Sequence, residues 1–171
     1  MTKRSKRVIL LSHCILNQNS VVQPIARMPG ALEGVVRACL DAEVGMIQLP
    51  CPELMAYGPE RQPMDRKGYD TAKYRLQCRR LLEPVRAQVE AYRRAGYEIV
   101  GLIGIGNSPS CGIDTTYEGG PQPGRGIFME ELLKMLPELE GRTLQVPRRY
   151  GEDPGVTAEF DQEVARFCRV A

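Results

Sequence analysis

Glu98-Ile99-Val100-Gly101-Leu102-Ile103-Gly104-Ile105 is the stretch that decides the fold. After Glu98 it carries no polar residue, so both of its faces are apolar. A strand with one wet face would alternate; a central strand of a parallel sheet, covered on both sides, does not. Gly96, just ahead of it, stands where a helix C-cap glycine belongs. Upstream of that glycine, residues 71–95 read as a long helix. Tyr74, Cys78, Leu81, Leu82, Val85, Val89 and Tyr92 fall on one stripe of it. Pro84 predicts a kink, or a break between two helices.

Further out the pattern repeats. Residues 7–12 and 45–49 are short apolar runs read as strands. Between them a helix opens at Pro29-Gly30, with Leu32, Val35, Val36, Cys39 and Leu40 on its apolar face. Residues 50–68, rich in proline and charge, read as a loop, and residues 21–28 fit no element. Downstream, residues 106–126 form a glycine-rich loop and 127–139 a helix. Residues 142–146 form a fourth strand. Residues 157–170 form a last helix, with Phe160, Val164, Phe167 and Cys168 inward. Strands alternating with helices predict an α/β fold with an open, mainly parallel sheet and helices on both faces, Rossmann-like and three-layered. The expected organisation is a single domain over residues 1–171, with residues 1–6 a flexible basic tail.

The bulk numbers agree with that reading. The chain has 171 residues, 43% hydrophobic and 26% charged, with a formal net charge of +2. One core suits that length. The charge balance argues against nucleic acid as a partner, because phosphate contacts need clustered Lys and Arg. The one basic cluster is Lys3-Arg4 and Lys6-Arg7. No apolar run reaches the roughly 20 residues of a membrane span, and none resembles a signal-peptide core. The expected location is therefore cytoplasmic, where six cysteines are not expected to be disulfides.

The cysteines sort into two groups. Cys39, Cys78 and Cys168 lie on the apolar stripes of three helices and read as core. Cys14, Cys51 and Cys111 lie on no periodic face. Each follows a predicted strand, and in open α/β sheets ligands bind outside the carboxyl ends of the strands. If those strands are parallel neighbours, the three sulfurs meet. Three thiolates can hold a 4Fe-4S cluster and leave one iron open, or hold Zn(II) with water in the fourth position. CxxC spacing is absent, so neither a zinc ribbon nor a ferredoxin run is indicated. His13 is the chain's single histidine. In an extended segment it would point away from its neighbour Cys14. A thiol nucleophile with a His–Asp relay would leave two cysteines unexplained.

Polar residues surround the expected site. In Cys51-Pro52-Glu53, Glu53 is placed to act as general base or acid beside an open metal position. Asn107-Ser108-Pro109-Ser110-Cys111-Gly112 is the densest polar turn in the chain. Asn107, Ser108 and Ser110 there can orient a bound group or steady a developing anion. Asn17 and Asn19 can add polar contacts, and Arg61 can bind an anionic or carbonyl-bearing substrate. The segment 119–126, with Pro121 and Pro123, fits no phosphate-loop spacing. It reads as a structured or mobile loop over the site, with phosphate binding a secondary idea.

Taken in order, Ser12-His13-Cys14, Cys51-Pro52-Glu53 and Ser108-Pro109-Ser110-Cys111-Gly112 resemble the thiouracil desulfidase family, over residues 8 to about 150. Arg61 and Pro63 match the pattern after Cys-Pro-Glu. The resemblance implies a compact α/β protein with a 4Fe-4S cluster on Cys14, Cys51 and Cys111, Glu53 as acid/base residue, and Ser108 assisting catalysis, with Ser110 the second candidate. It implies non-redox removal of sulfur from a thiolated pyrimidine of the thiouracil type. The stretch Ile15-Leu16-Asn17-Gln18-Asn19 replaces the family's commoner Leu-Leu-Gly, and the segment around Lys67-Gly68-Tyr69-Asp70 looks like an elaboration, which marks a divergent branch. Outside the resemblance stand a zinc- or cluster-dependent hydrolase or lyase of another substrate, and a non-catalytic cluster-based redox sensor.

Overall fold

A computed structural model describes residues 3–170. Four strands, β1 (Arg7–Leu11), β2 (Gly45–Gln48), β3 (Glu98–Ile105) and β6 (Thr143–Val146), form a parallel sheet in the order β2-β1-β3-β6. This is the expected α/β architecture, and β3 is indeed interior. The helices are α1 (His13–Leu16), α2 (Glu33–Asp41), α3 (Pro52–Tyr57), α4 (Arg66–Tyr69), α5 (Ala72–Arg94), α6 (Ile127–Met135) and α7 (Pro154–Arg169).

Strand alternation divides the core into two layers. Val8, Leu10 and Leu102 pack with Tyr74, Cys78 and Leu82 of α5 and with Phe128 and Leu132 of α6. Ile9, Leu11 and Ile103 pack with Val35 and Cys39 of α2 and with Phe160, Val164 and Cys168 of α7. Helices therefore cover both faces. Cys39, Cys78 and Cys168 are fully buried, as read from the sequence. Cys39 Sγ and Cys168 Sγ lie 3.9 Å apart, which joins α2 to α7.

Several boundaries differ from the sequence reading. Residues 50–68 hold two helices, not only a loop. Cys51 caps α3 with Pro52 at its first position, and Asp65 caps α4 by accepting the Gly68 N–H at 3.1 Å. Helix α5 runs unbroken through Pro84. Helix α2 starts at Glu33, not at Pro29-Gly30, and Leu40 is 59% exposed while its neighbour Cys39 faces the core. Asp153 and Pro154 start α7 three residues before Thr157. The glycine-rich loop contains an antiparallel pair, β4 (Thr115–Tyr117) and β5 (Pro121–Pro123). Of the basic tail, residues 1 and 2 lie outside the described residues. Residues 3–5 have no regular structure, and the Lys6 carbonyl accepts the Glu98 N–H at 2.9 Å.

Candidate functional site

The carboxyl ends of β1, β2 and β3 lie side by side, since β1 pairs with both others. Ladder bonds extend past the strands: Leu49 N–H donates to the Leu11 carbonyl at 2.8 Å and Ser12 N–H to the Ile103 carbonyl at 3.0 Å. Each strand then delivers one cysteine. Cys14 sits in α1, not in extended chain as assumed for the His13–Cys14 pair. His13 is nevertheless engaged elsewhere, with Nδ1 3.0 Å from the Leu49 carbonyl oxygen. Cys51 is the N-cap of α3, where its Sγ accepts the Leu54 N–H at 3.4 Å.

Cys111 comes back to the sheet on a tight loop. Its carbonyl accepts the Ile105 N–H at 2.8 Å. Gly104 permits this return, because a Cβ there would meet the Cys111 carbonyl oxygen at 2.5 Å. Ser108 Oγ accepts the Cys111 N–H at 2.9 Å and the Ser110 N–H at 3.3 Å. Gln145 Oε1, from β6, accepts the N–H groups of Ile113, Asp114 and Thr115 at 3.2, 3.0 and 3.3 Å. Asn107 adopts a left-handed backbone (φ +60°), which asparagine tolerates, at the start of this loop.

The three thiols act on one another. Burial pushes the Cys14 thiol up to about 12, and Cys51 and Glu53 add to it. Cys111 is raised well above its ordinary value by burial first, then by Cys14, Cys51 and Glu53. Burial is also the main cause for Cys51, with Glu53 contributing. The structure thus gathers Cys14, Cys51, Cys111 and Glu53 into one electrostatic neighbourhood. Among the described residues, no three His, Cys, Asp or Glu side chains are grouped as the shell of a metal ion.

Glu53 is buried, and Arg61 Nε donates to its Oε2 at 3.1 Å. The same guanidinium donates to the Gly58 and Ser20 carbonyls at 3.2 and 2.8 Å, so each of its three nitrogens holds a bond to the protein. Ser110 is 1% exposed and its Oγ lies 2.7 Å from Tyr74 Oη. Asn17 caps a short turn, its Oδ1 accepting the Asn19 N–H and Nδ2–H at 3.1 Å each.

Five residues that sequence reasoning did not single out for the site also belong here. Tyr69 and Tyr74 pack together beside Glu53, with ring centroids 5.0 Å apart and planes tilted by 37°. Burial, then Glu53, raises the pKa of each. Gln18 Nε2 donates to the Cys14 carbonyl at 2.8 Å, and its Oε1 accepts the Arg27 N–H at 2.8 Å. Arg27 in turn donates to the Pro147 carbonyl at 2.9 Å, and its charge opposes the rise of the Cys14 thiol. Gln18 ties together the irregular chain between Cys14 and Gly30, and Arg27 reaches across to Pro147, so no helix or strand period could have marked them. The fifth is Ser12, whose Oγ is buried and has no hydrogen-bond partner among the described residues.

No family model and no solved structure matches the chain. An uncharacterized protein of Methanocaldococcus jannaschii, MJ0003, is 42% identical over 136 residues, which cover 80% of this chain and 81% of that protein.

Proposed function

The chain belongs to one family with MJ0003, and we propose that it is an iron–sulfur desulfidase that removes sulfur from a thiolated pyrimidine without net redox chemistry. The observation that carries the reading is the meeting of three thiols from the ends of three neighbouring parallel strands.

The residues present fit a cluster. Three soft sulfur donors suit iron–sulfur ligation, and the ring of His13, the neighbour of Cys14, is engaged with the Leu49 carbonyl. The unpartnered Ser12 hydroxyl next to them is a donor suited to a ligand sulfur. A cluster interposes several atoms between its ligands. It therefore accepts a wider triangle than one Zn(II), whose Zn–S bonds are about 2.3 Å. Cys14, Cys51 and Cys111 would hold it. When bound, it supplies an open iron, a Lewis acid with affinity for sulfur.

The remaining work falls to side chains. Arg61 fixes the Glu53 carboxylate in direction, and Glu53 serves as the base. Glu53 takes a proton from water, and that water attacks the carbon bearing sulfur; as the C–S bond breaks the new oxygen becomes a carbonyl, and both protons of the water leave with the sulfur as hydrogen sulfide. Ser108 Oγ accepts two N–H groups from its own turn, which leaves its O–H free to donate to a developing anion. Tyr74 fixes Ser110 next to it.

Anaerobic reconstitution tests this. The wild type should turn brown, bind iron and sulfide, and release sulfide from thiouracil. Glu53→Gln and Ser108→Ala should keep the colour and lose turnover. Full activity in Cys111→Ala would overturn the proposal. A colourless protein carrying stoichiometric zinc would favour a zinc hydrolase, and a cluster without turnover a sensor.

A further inference from the structure

Ser12 follows the last residue of β1 and stands at the N-cap of α1. A serine there ordinarily turns its hydroxyl onto a free amide of the first helical turn. Ser12 forms no such capping bond. Its backbone N–H is occupied by the Ile103 carbonyl at 3.0 Å. Its side chain is fully buried, and among the described residues Oγ has no hydrogen-bond partner. Buried hydroxyls in this state are rare, because the group has left water without replacing its bonds.

The loop after β3 supplies the reason. It brings Cys111 back to the end of the sheet, where its carbonyl takes the Ile105 N–H at 2.8 Å, two residues beyond the Ile103 whose carbonyl takes the Ser12 N–H. A protonated thiol is a weak acceptor, whereas a thiolate bound to iron is a strong one. The donor is therefore already in place for an acceptor that arrives with the cluster.

We propose that Ser12 Oγ donates a hydrogen bond to Cys111 Sγ when that sulfur ligates the cluster, so that Ser12 is a positioning residue that tunes the iron centre. The inference rests on the cluster reading above. Ser12 keeps its proton throughout, and no bond to it forms or breaks. Hydrogen bonds to ligand sulfurs draw electron density from the metal centre and set its potential.

The test compares wild type, Ser12→Ala and Ser12→Thr, each reconstituted anaerobically. Iron and sulfide content, the midpoint potential from an EPR-monitored titration, and thermal unfolding of the metal-free protein are measured. Ser12→Ala should shift the potential to more negative values, and Ser12→Thr should restore it. The metal-free Ser12→Ala protein should unfold no lower than wild type, since its missing hydroxyl had no partner to lose; a purely structural serine would lower it. A wild-type protein that takes up no cluster overturns the cluster reading and this role together. A loaded Ser12→Ala protein with an unchanged potential overturns the role of Ser12 alone.

Discussion

Arg61 Nε donates to Glu53 Oε2 at 3.1 Å in an ion pair whose side chains are only 5% and 11% exposed. Removing one partner of a buried pair leaves the other uncompensated, at a cost of about 3–5 kcal/mol. Arg61→Ala also frees the Gly58 and Ser20 carbonyls. We expect it to lower unfolding free energy in urea by that amount and to abolish turnover. Arg61→Lys should recover part of the stability and little activity, because one ammonium cannot serve three acceptors in a planar fork. A urea midpoint unchanged in Arg61→Ala would remove the pair from the account.

The loop that carries Cys111 is held from two sides. Ser108 Oγ binds it from within, and Gln145 Oε1 takes three of its N–H groups from β6. Gln145→Ala leaves those donors without their acceptor, a loss of about 1–3 kcal/mol. Gln145 is remote from the expected chemistry, so its loss should act through the position of Cys111. Cluster content should fall in Gln145→Ala, and hydrogen exchange should quicken at residues 111–115. Protection unchanged in that segment would show that Gln145 does not hold it.

How legible all this was depends on the kind of signal. Strand β3 could be read because burial on both faces leaves no polar residue to hide it. The two cysteine groups separated because Cys39, Cys78 and Cys168 obey a helical period and Cys14, Cys51 and Cys111 follow strands. Helix α3 falls in the proline-rich stretch read as a loop, and α7 begins three residues ahead of the residue 157 read as its start. Pro52 and Pro154 are first helical residues behind the caps Cys51 and Asp153, where the missing N–H costs nothing. Arg61 read as a substrate contact; the fold also turns each of its three nitrogens onto Glu53 or a carbonyl, partners that only the tertiary structure brings within reach.

Pro84 gives a stability prediction free of the site. It is exposed within α5, and the helix continues through it. Proline removes one backbone hydrogen bond and crowds the preceding turn, at about 3 kcal/mol in a helix interior. Pro84→Ala should stabilise the protein by roughly 1–3 kcal/mol, read as a Tm increase of about 2–4 °C per kcal/mol. No gain in Tm would mean that the residues around Pro84 have already absorbed the strain.

Acid should unfold the protein through a network on the helical layer. Arg75 donates to Asp70 at 2.6 Å, to Glu131 at 2.7 Å and to Glu130 at 2.9 Å. The Arg75 bond holds Asp70 below its ordinary value of 3.8. Burial pushes Glu131 up, but bonds from Arg75, Arg79 and Lys134 outweigh it and hold it below 4.5. Groups whose folded pKa is depressed contribute stability that is complete above the unfolded value and lost as pH falls through the folded one. The urea midpoint should thus be level above about pH 5 and drop below it. Asp161, raised by burial, works in the opposite sense, favouring the folded state at low pH and opposing it as pH rises. Arg75→Ala should cost about 1–2 kcal/mol at neutral pH, since the arginine is partly exposed. It should also flatten the acid limb, because Asp70 and Glu131 then titrate nearer to where they do unfolded. An acid limb as steep in Arg75→Ala as in wild type would place the sensitivity elsewhere, with Asp153 at the cap of α7 the next group to test.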